Sequence, residues 1–399
     1  MNFLIATLIK AGLIAFVLVT ALAYLVWVER KVLAHIQLRV GPNRVGPHGL
    51  LQPLSDLIKL VFKEGVIPSH VNLVFYLLAP FLAVALALVS IAVIPLGPEV
   101  EIFGFKTYLG LTDINIGILF ILAIGSLGVY GVALAGWASN NKYSLIGGLR
   151  SSAQIISYEL PMALAIVAPL LLFNTLSLRE IVDAQSGYYL GFIPRWAIFQ
   201  MPFPQIFSFI LFLIAAFAET NRIPFDLPEA ENELVAGFHT EYSSMLFAAF
   251  FTAEYGHITT SCLVGALVYL GGWQPLWPAE LGSDFFPVIV HWFFAAICFW
   301  HATQPARWYD KFTMPVVGVV LFVLGGSFLI PFLKPILIPL FWFIAKAGFL
   351  IFTFIWIRGT LPRFRYDQLM RFAWLFMFPV AVANLLITGL LVALGEQAK

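Results

Sequence analysis

Residues 3–28 read FLIATLIKAGLIAFVLVTALAYLVWV, an apolar run interrupted by one charge, Lys10. A helix needs roughly 20 apolar residues to cross the hydrocarbon of a bilayer. The core of a signal peptide runs only about 7–15 residues. The stretch therefore reads as a first membrane span rather than a cleaved leader. Runs of the same kind recur at 71–95, 113–137, 155–175, 205–219, 242–271, 285–303, 313–333, 335–357 and 373–394. The expected fold is all-α, a polytopic transmembrane helix bundle of about ten spans in one integral membrane domain. The run at 205–219 is short, and only Lys334 and neighbouring prolines separate 313–333 from 335–357.

Composition excludes the soluble alternatives. Of 399 residues, 61% are hydrophobic and 11% charged, against roughly 45–50% and about 25% in soluble domains. There is too little polar surface to cover a soluble core. Cys262 and Cys298 both lie inside apolar runs, with no Cys-x-x-Cys. A zinc site, an iron–sulfur cluster or a disulfide framework is not expected. No dinucleotide fingerprint or phosphate-binding loop is present, so no bound flavin or nucleotide is expected either. His291 and His301 share one span but point to different helical faces, so no haem is expected. No basic run points to nucleic acid.

Lys and Arg mark the cytoplasmic side. Arg30, Lys31, Arg39, Arg44, Lys59 and Lys63 fall in the first long loop, over 29–70. Lys142 and Arg150, then Arg307 and Lys311, then Arg358, Arg363, Arg365 and Arg371 fall in later loops. About ten crossings place all of them on one side, with both termini opposite. Within the first loop, 50–64 is too short to span. Leu54, Leu57, Ile58, Val61 and Phe62 share one helical face, which predicts an amphipathic helix lying at the membrane surface.

The acids break the pattern. Glu219, Asp226, Glu229, Glu231, Glu233 and Glu241 crowd the 219–241 loop against a single Arg222. Crowded carboxylates cannot all ionise together, and acids that share protons are what a proton path requires. A solvated acidic loop is the plainer reading. Glu159, Glu254 and Lys346 fall inside spans, at a cost of roughly 2.5–3.5 kcal/mol each. They point to an internal polar track, with an ion pair between Lys346 and an acid as the alternative. Gly125, Gly128, Gly131, Ala135 and Gly136 predict close helix packing.

Four motifs carry a family resemblance. ERKVLAHIQLRVGPNRVGPHGLLQPLSDLIKLVFKE (29–64) and NKYSLIGGLRSSAQIISYE (141–159) come first. AETNRIPFDLPEAENELVAGFHTEYSSMLFAAFFTAEY (218–255) and IRGTLPRFRYDQLMR (357–371) follow. In kind and order they resemble the H-type membrane subunits of respiratory complex I (NADH-quinone oxidoreductase), the family of mitochondrial NADH dehydrogenase subunit 1. The resemblance implies a membrane-arm component of NADH:quinone oxidoreductase, joined to the hydrophilic arm and lining much of the quinone chamber. Glu159, Glu219, Asp226, Glu229, Glu231, Glu233 and Glu254 would form its acidic proton path, with Glu241 beside it. Arg39, Asp56, Lys59, Arg222, Phe238 and Tyr242 would lie at the chamber or its rim. Arg30, Arg150, Arg358, Arg363 and Arg365 would dock neighbouring subunits or order loops.

Quinone, ubiquinone or menaquinone, would then be the substrate. The implied partners are the quinone-site and terminal iron–sulfur subunits of the hydrophilic arm, small membrane subunits, antiporter-like subunits and lipid. The family usually has eight spans, so 285–333 reads as an inserted hairpin whose expected role is packing or lipid contact. No presequence is visible, which points to a bacterial plasma membrane, with an organellar inner or thylakoid membrane as the alternative. Two other functions stay open: the same role in a complex with ferredoxin or another donor, and a stand-alone secondary ion transporter. A plain anchor for the hydrophilic arm would not need the intramembrane acids.

Overall fold

The computed structural model describes residues 2–102, 105–201, 203–226, 235–305 and 307–397. The chain is helical nearly throughout. The first long helix, α1 (Asn2–Ile36), is followed by the short α2 (Gln52–Phe62) and then by α3 (Leu73–Ala92), α4 (Gly117–Ala138) and α5 (Lys142–Phe173). Next come α6 (Leu178–Ala184), α7 (Ile206–Glu219) and α8 (Ser244–Tyr269). The chain ends with α9 (Phe286–Thr303), α10 (Asp310–Ser327), α11 (Lys334–Thr360), α12 (Tyr366–Arg371) and α13 (Phe378–Gln397). A π-helical stretch, Phe372–Met377, joins the last two. Two small antiparallel hairpins, between α3 and α4 and between α6 and α7, are the described β-structure.

Each of the ten predicted spans coincides with a helix. Eight described helical stretches are long and apolar enough to cross a membrane: α1, α3, α4, α5, α9, α10, α11 and the α12–α13 run. The other two differ for separate reasons. Helix α7 has only 14 residues. Helix α8 has 26 residues, but Glu254, His257, Thr259, Thr260 and Ser261 dilute its apolar character.

Small residues let the central helices approach closely. A Cβ at Gly131 would lie 3.2 Å from both the Ala79 carbonyl and the Ala83 Cβ on α3, and one at Gly136 would lie 2.7 Å from the Ser144 carbonyl on α5. The predicted close packing is thus present, and Gly136 admits no side chain without a shift of backbone. Around this centre α5, α7, α8, α11 and α13 share one apolar core, with Tyr158, Phe212, Tyr269, Phe343 and Leu350 fully enclosed. Helix α1 leans on α8 and α11 and is otherwise largely open.

Helix α2 has no buried residue, and Leu54, Leu57, Ile58, Val61 and Phe62 are all exposed. That is the arrangement expected of a helix whose apolar face meets lipid or another chain. Helices α9 and α10 pack mainly on each other, with Phe299 over Gly318 and Trp292 over Gly325. Their turn reaches back to the first loop. Asp310 Oδ1 lies 2.9 Å from His48 Nε2, and Arg307 donates to Asn43 Oδ1. The hairpin thus packs on the first loop as well as on itself.

Candidate functional site

The polar residues gather where α3, α4, α5, α7 and α8 meet. Glu219 ends α7 and turns inward, and its Oε2 is buried with no hydrogen-bond partner among the described residues. Glu159 projects from α5 and accepts a hydrogen bond from Ser126 of α4. Two adjoining cavities lie here. The first, about 70 Å³, is bordered by Glu219, Glu254, His257, Asn221, Phe238 and His239, among others. The second, about 30 Å³, is bordered by Glu159, Glu219, His257, Thr260, Ser261 and Ser90, among others. Gly125, Glu219 and His257 border both. Each cavity has room for water.

The glycines of α4 make that space. Gly125 faces Glu219, whose Oε1 would lie 3.6 Å from a Cβ there, and Gly128 faces His257 at 3.5 Å. They stand one helical turn apart on one face. Sequence reasoning took them as packing residues only.

Beside the first cavity sits a buried charge network. Arg222 Nε lies 2.5 Å from Glu254 Oε1, and Arg222 Nη1 lies 3.5 Å from Glu29 Oε1. Arg358 of α11 also contacts Glu29. Tyr255 donates its hydroxyl to Glu29 Oε2 at 2.7 Å and lies under the Arg222 guanidinium. Two arginines thus face two glutamates, and three helices are tied together. Glu29 was not among the expected site residues. Its position at the head of the first motif was the available signal.

The other expected residues are distributed as follows. Asp226 pairs with Arg363 at 3.0 Å, and Arg30 pairs with Asp56 at 2.8 Å. Arg150 lies over the Tyr366 ring, and Arg365 contacts Asp367 at 3.3 Å. Asn141 donates to Glu241 Oε1 at 2.6 Å. Tyr242 stacks on Tyr76 with ring centroids 4.3 Å apart, and Phe238 packs on His239 and Phe250. Gly147 fixes this loop, since a Cβ there would lie 2.6 Å from the Gly237 backbone. Burial pushes the His239 imidazole down to about 4, so it is neutral at physiological pH. Arg39 contacts Gln37, and Lys59 is exposed, so neither joins the cavities. Glu229, Glu231 and Glu233 lie outside the described residues.

Lys346 departs from the ion pair that its position suggested. Its ammonium donates to the carbonyls of Leu270, Gly272 and Gln274 at 2.6, 2.8 and 2.5 Å and lies 4.0 Å from the Trp196 ring centre. Three donors meet three acceptors, so the lysine clasps the turn after α8. Among the described residues its partners are carbonyls rather than an acid.

The NADH dehydrogenase family profile matches residues 9–309 and 300–389. The chain belongs to this family. The two matched stretches meet at the turn between α9 and α10. Among similar family members is the NADH-quinone oxidoreductase H-type subunit numbered 1 of Solibacter usitatus, 60% identical over 98% of both chains. The H-type subunit numbered 2 of the NADH-quinone oxidoreductase of Koribacter versatilis is 48% identical over 98% of both chains. Its counterpart numbered 2 in Geobacter metallireducens is 42% identical over 99% of this chain and 97% of its own. In this member three of the motifs meet in the network, the first supplying Glu29, the third Arg222 and Glu254 and the fourth Arg358, while the second supplies Glu159 to the second cavity.

Proposed function

We propose that the chain is the membrane subunit of a proton-translocating NADH:quinone oxidoreductase. In this reading it forms part of the quinone chamber and couples quinone reduction to proton movement along its acids. The observation that carries the reading is the pair of adjoining cavities bordered by Glu159, Glu219 and Glu254 inside a membrane bundle. An ionisable group at that depth is costly and marks an ion or proton pathway. The relatives' names support NADH as donor and quinone as acceptor, and favour this over another donor or a stand-alone transporter.

Reduction of quinone changes charge and protonation at the chamber. Phe238 and Tyr242 stand between that chamber and the first cavity, with Arg39, Asp56 and Lys59 at its rim. Glu219 passes protons between the first cavity and the second, where Glu159 receives them. Glu229, Glu231, Glu233, Asp226 and Glu241 gather protons at the cytoplasmic entrance. Arg222 holds Glu254 and Glu29 in place. Arg30, Arg150, Arg358, Arg363 and Arg365 order the loops on which the hydrophilic arm docks. The partners are the quinone-site and terminal iron–sulfur subunits of that arm, small membrane subunits and antiporter-like subunits, in a bacterial plasma membrane.

The test replaces Glu159 or Glu219 by glutamine in the assembled complex. Quinone reduction should fall by at least about tenfold, the low end for loss of a positioned proton carrier. Oxidation of NADH by an artificial acceptor should be unchanged. Wild-type quinone reduction in both variants would remove the acidic path from this account.

A further inference from the structure

We propose that His257 relays protons between the two cavities, making it a carrier in the path rather than a packing residue. The proposal rests on the proton path proposed above and adds a residue to it. Of the described ionisable side chains bordering the first cavity, only Glu219 and His257 also border the second. Glu219 approaches from the end of α7, whereas His257 stands well inside α8. The imidazole borders both spaces from that position.

Spacing along α8 supports the role. Glu254, His257 and Thr260 follow at three-residue intervals, with Ser261 four residues beyond His257, so they form one stripe. The stripe opens into the first cavity at Glu254 and into the second at Thr260 and Ser261. Among the described residues Thr260 Oγ1 is buried with no hydrogen-bond partner, as is Glu219 Oε2. Two unpartnered polar atoms on the same small space are costly and have a purpose if protons cross there. Gly128 faces the ring across the cavity, with a Cβ there lying 3.5 Å from both Cε1 and Nε2, so a side chain larger than alanine would extend into the space beside the imidazole.

Imidazole suits the task because it has two nitrogens with separate roles. One ring nitrogen binds a proton arriving from the first cavity. The other releases its own proton to a carboxylate oxygen of Glu219 or Glu159 on the second. The ring is neutral before and after, and a ring rotation restores the starting tautomer. No electron moves in this step.

The experiment uses the complete complex in liposomes and follows quinone reduction, proton uptake and NADH oxidation by an artificial acceptor. His257→Gln keeps a hydrogen-bonding side chain of similar size that cannot bind and release a proton. It should slow quinone reduction and pumping by at least about tenfold, with the artificial-acceptor rate unchanged. His257→Ala should be equally slow and should recover when imidazole is added at constant pH. Pyrrole, which has the same ring shape without a basic nitrogen, should not restore it. Wild-type rates in His257→Gln would overturn the proposal. So would equal recovery with pyrrole, which would show a filled void, or no recovery with either ring. Glu219→Gln, run in parallel, separates the two levels. If it is slow while His257→Gln is normal, the path stands without this relay. If both are normal, the path itself falls.

Discussion

Replacing Arg222 by glutamine tests the buried charge network most directly. Arg222 and Glu29 are each 7% exposed at the side chain and Glu254 is 18% exposed. At an effective dielectric of about 20, the 2.5 Å contact with Glu254 corresponds to on the order of 6 kcal/mol of Coulomb attraction, and the 3.5 Å contact with Glu29 to about 5. Desolvation of each ion, at several kcal/mol, offsets most of this. The network therefore adds little net stability while intact, but a single deletion leaves one charge uncompensated. Arg222→Gln leaves Glu29, Glu254 and Arg358, one negative charge in excess. Glu254→Gln leaves one positive charge in excess. Each should cost about 3–5 kcal/mol. The double variant leaves Glu29 with Arg358, a neutral pair, and should cost at least about 2 kcal/mol less than the sum of the two. The readout is the temperature at which half of the chain is released from the detergent-solubilised complex, compared across the four proteins. It serves as a ranking, because such an assembly does not unfold in two states. Additive losses in the double variant would refute a compensated network.

Lys346→Met should lower the same release temperature, because three charge-assisted hydrogen bonds are lost at about 1.5–3 kcal/mol each, only partly offset by removing a buried charge. Wild-type retention would dismiss the clasp. Gly136→Val should destabilise by about 1–3 kcal/mol through overpacking, whereas Gly12→Val, with nothing within 4 Å of its Cβ, should be neutral. Asp310→Ala should speed amide hydrogen exchange in residues 42–49, since it removes the contact to His48. Unchanged exchange there would mean that the loop holds itself. His239 binds a proton more weakly folded, near 4, than unfolded, near 6.5. The unfolded chain therefore gains protons first, so stability is full above about pH 6.5 and falls by up to about 3 kcal/mol as pH drops toward 4. His239→Gln should flatten the release-temperature profile over that window, and an unchanged slope would exclude His239 as its source.

How much of this was legible in the sequence depends on the range over which each signal acts. Apolar runs are local, so every predicted span met a helix, and the surface helix at 50–64 appeared as Gln52–Phe62. Partners are not local. Glu29 and Arg222 stand 193 residues apart, and nothing near Glu29 announces that it faces two arginines. Lys346 read as a charge in need of an acid, because ammonium groups inside membranes usually find one. The turn at 270–274 supplied carbonyls instead, and a sequence does not display where carbonyls point. The glycines of α4 carried two meanings at once. Gly131 and Gly136 let helices touch, as their spacing implied. Gly125 and Gly128, on the same helix, hold helices close while leaving an opening toward Glu219 and His257. A missing side chain can close a gap between backbones or create a space for polar groups, and only the facing residue decides which. At Gly136 the facing residue is backbone; at Gly128 it is an imidazole. The polar path thus depends on residues that bear no polarity of their own. A valine at Gly128 should block it as effectively as loss of a carboxylate, and normal pumping in that variant would remove the glycines from the path.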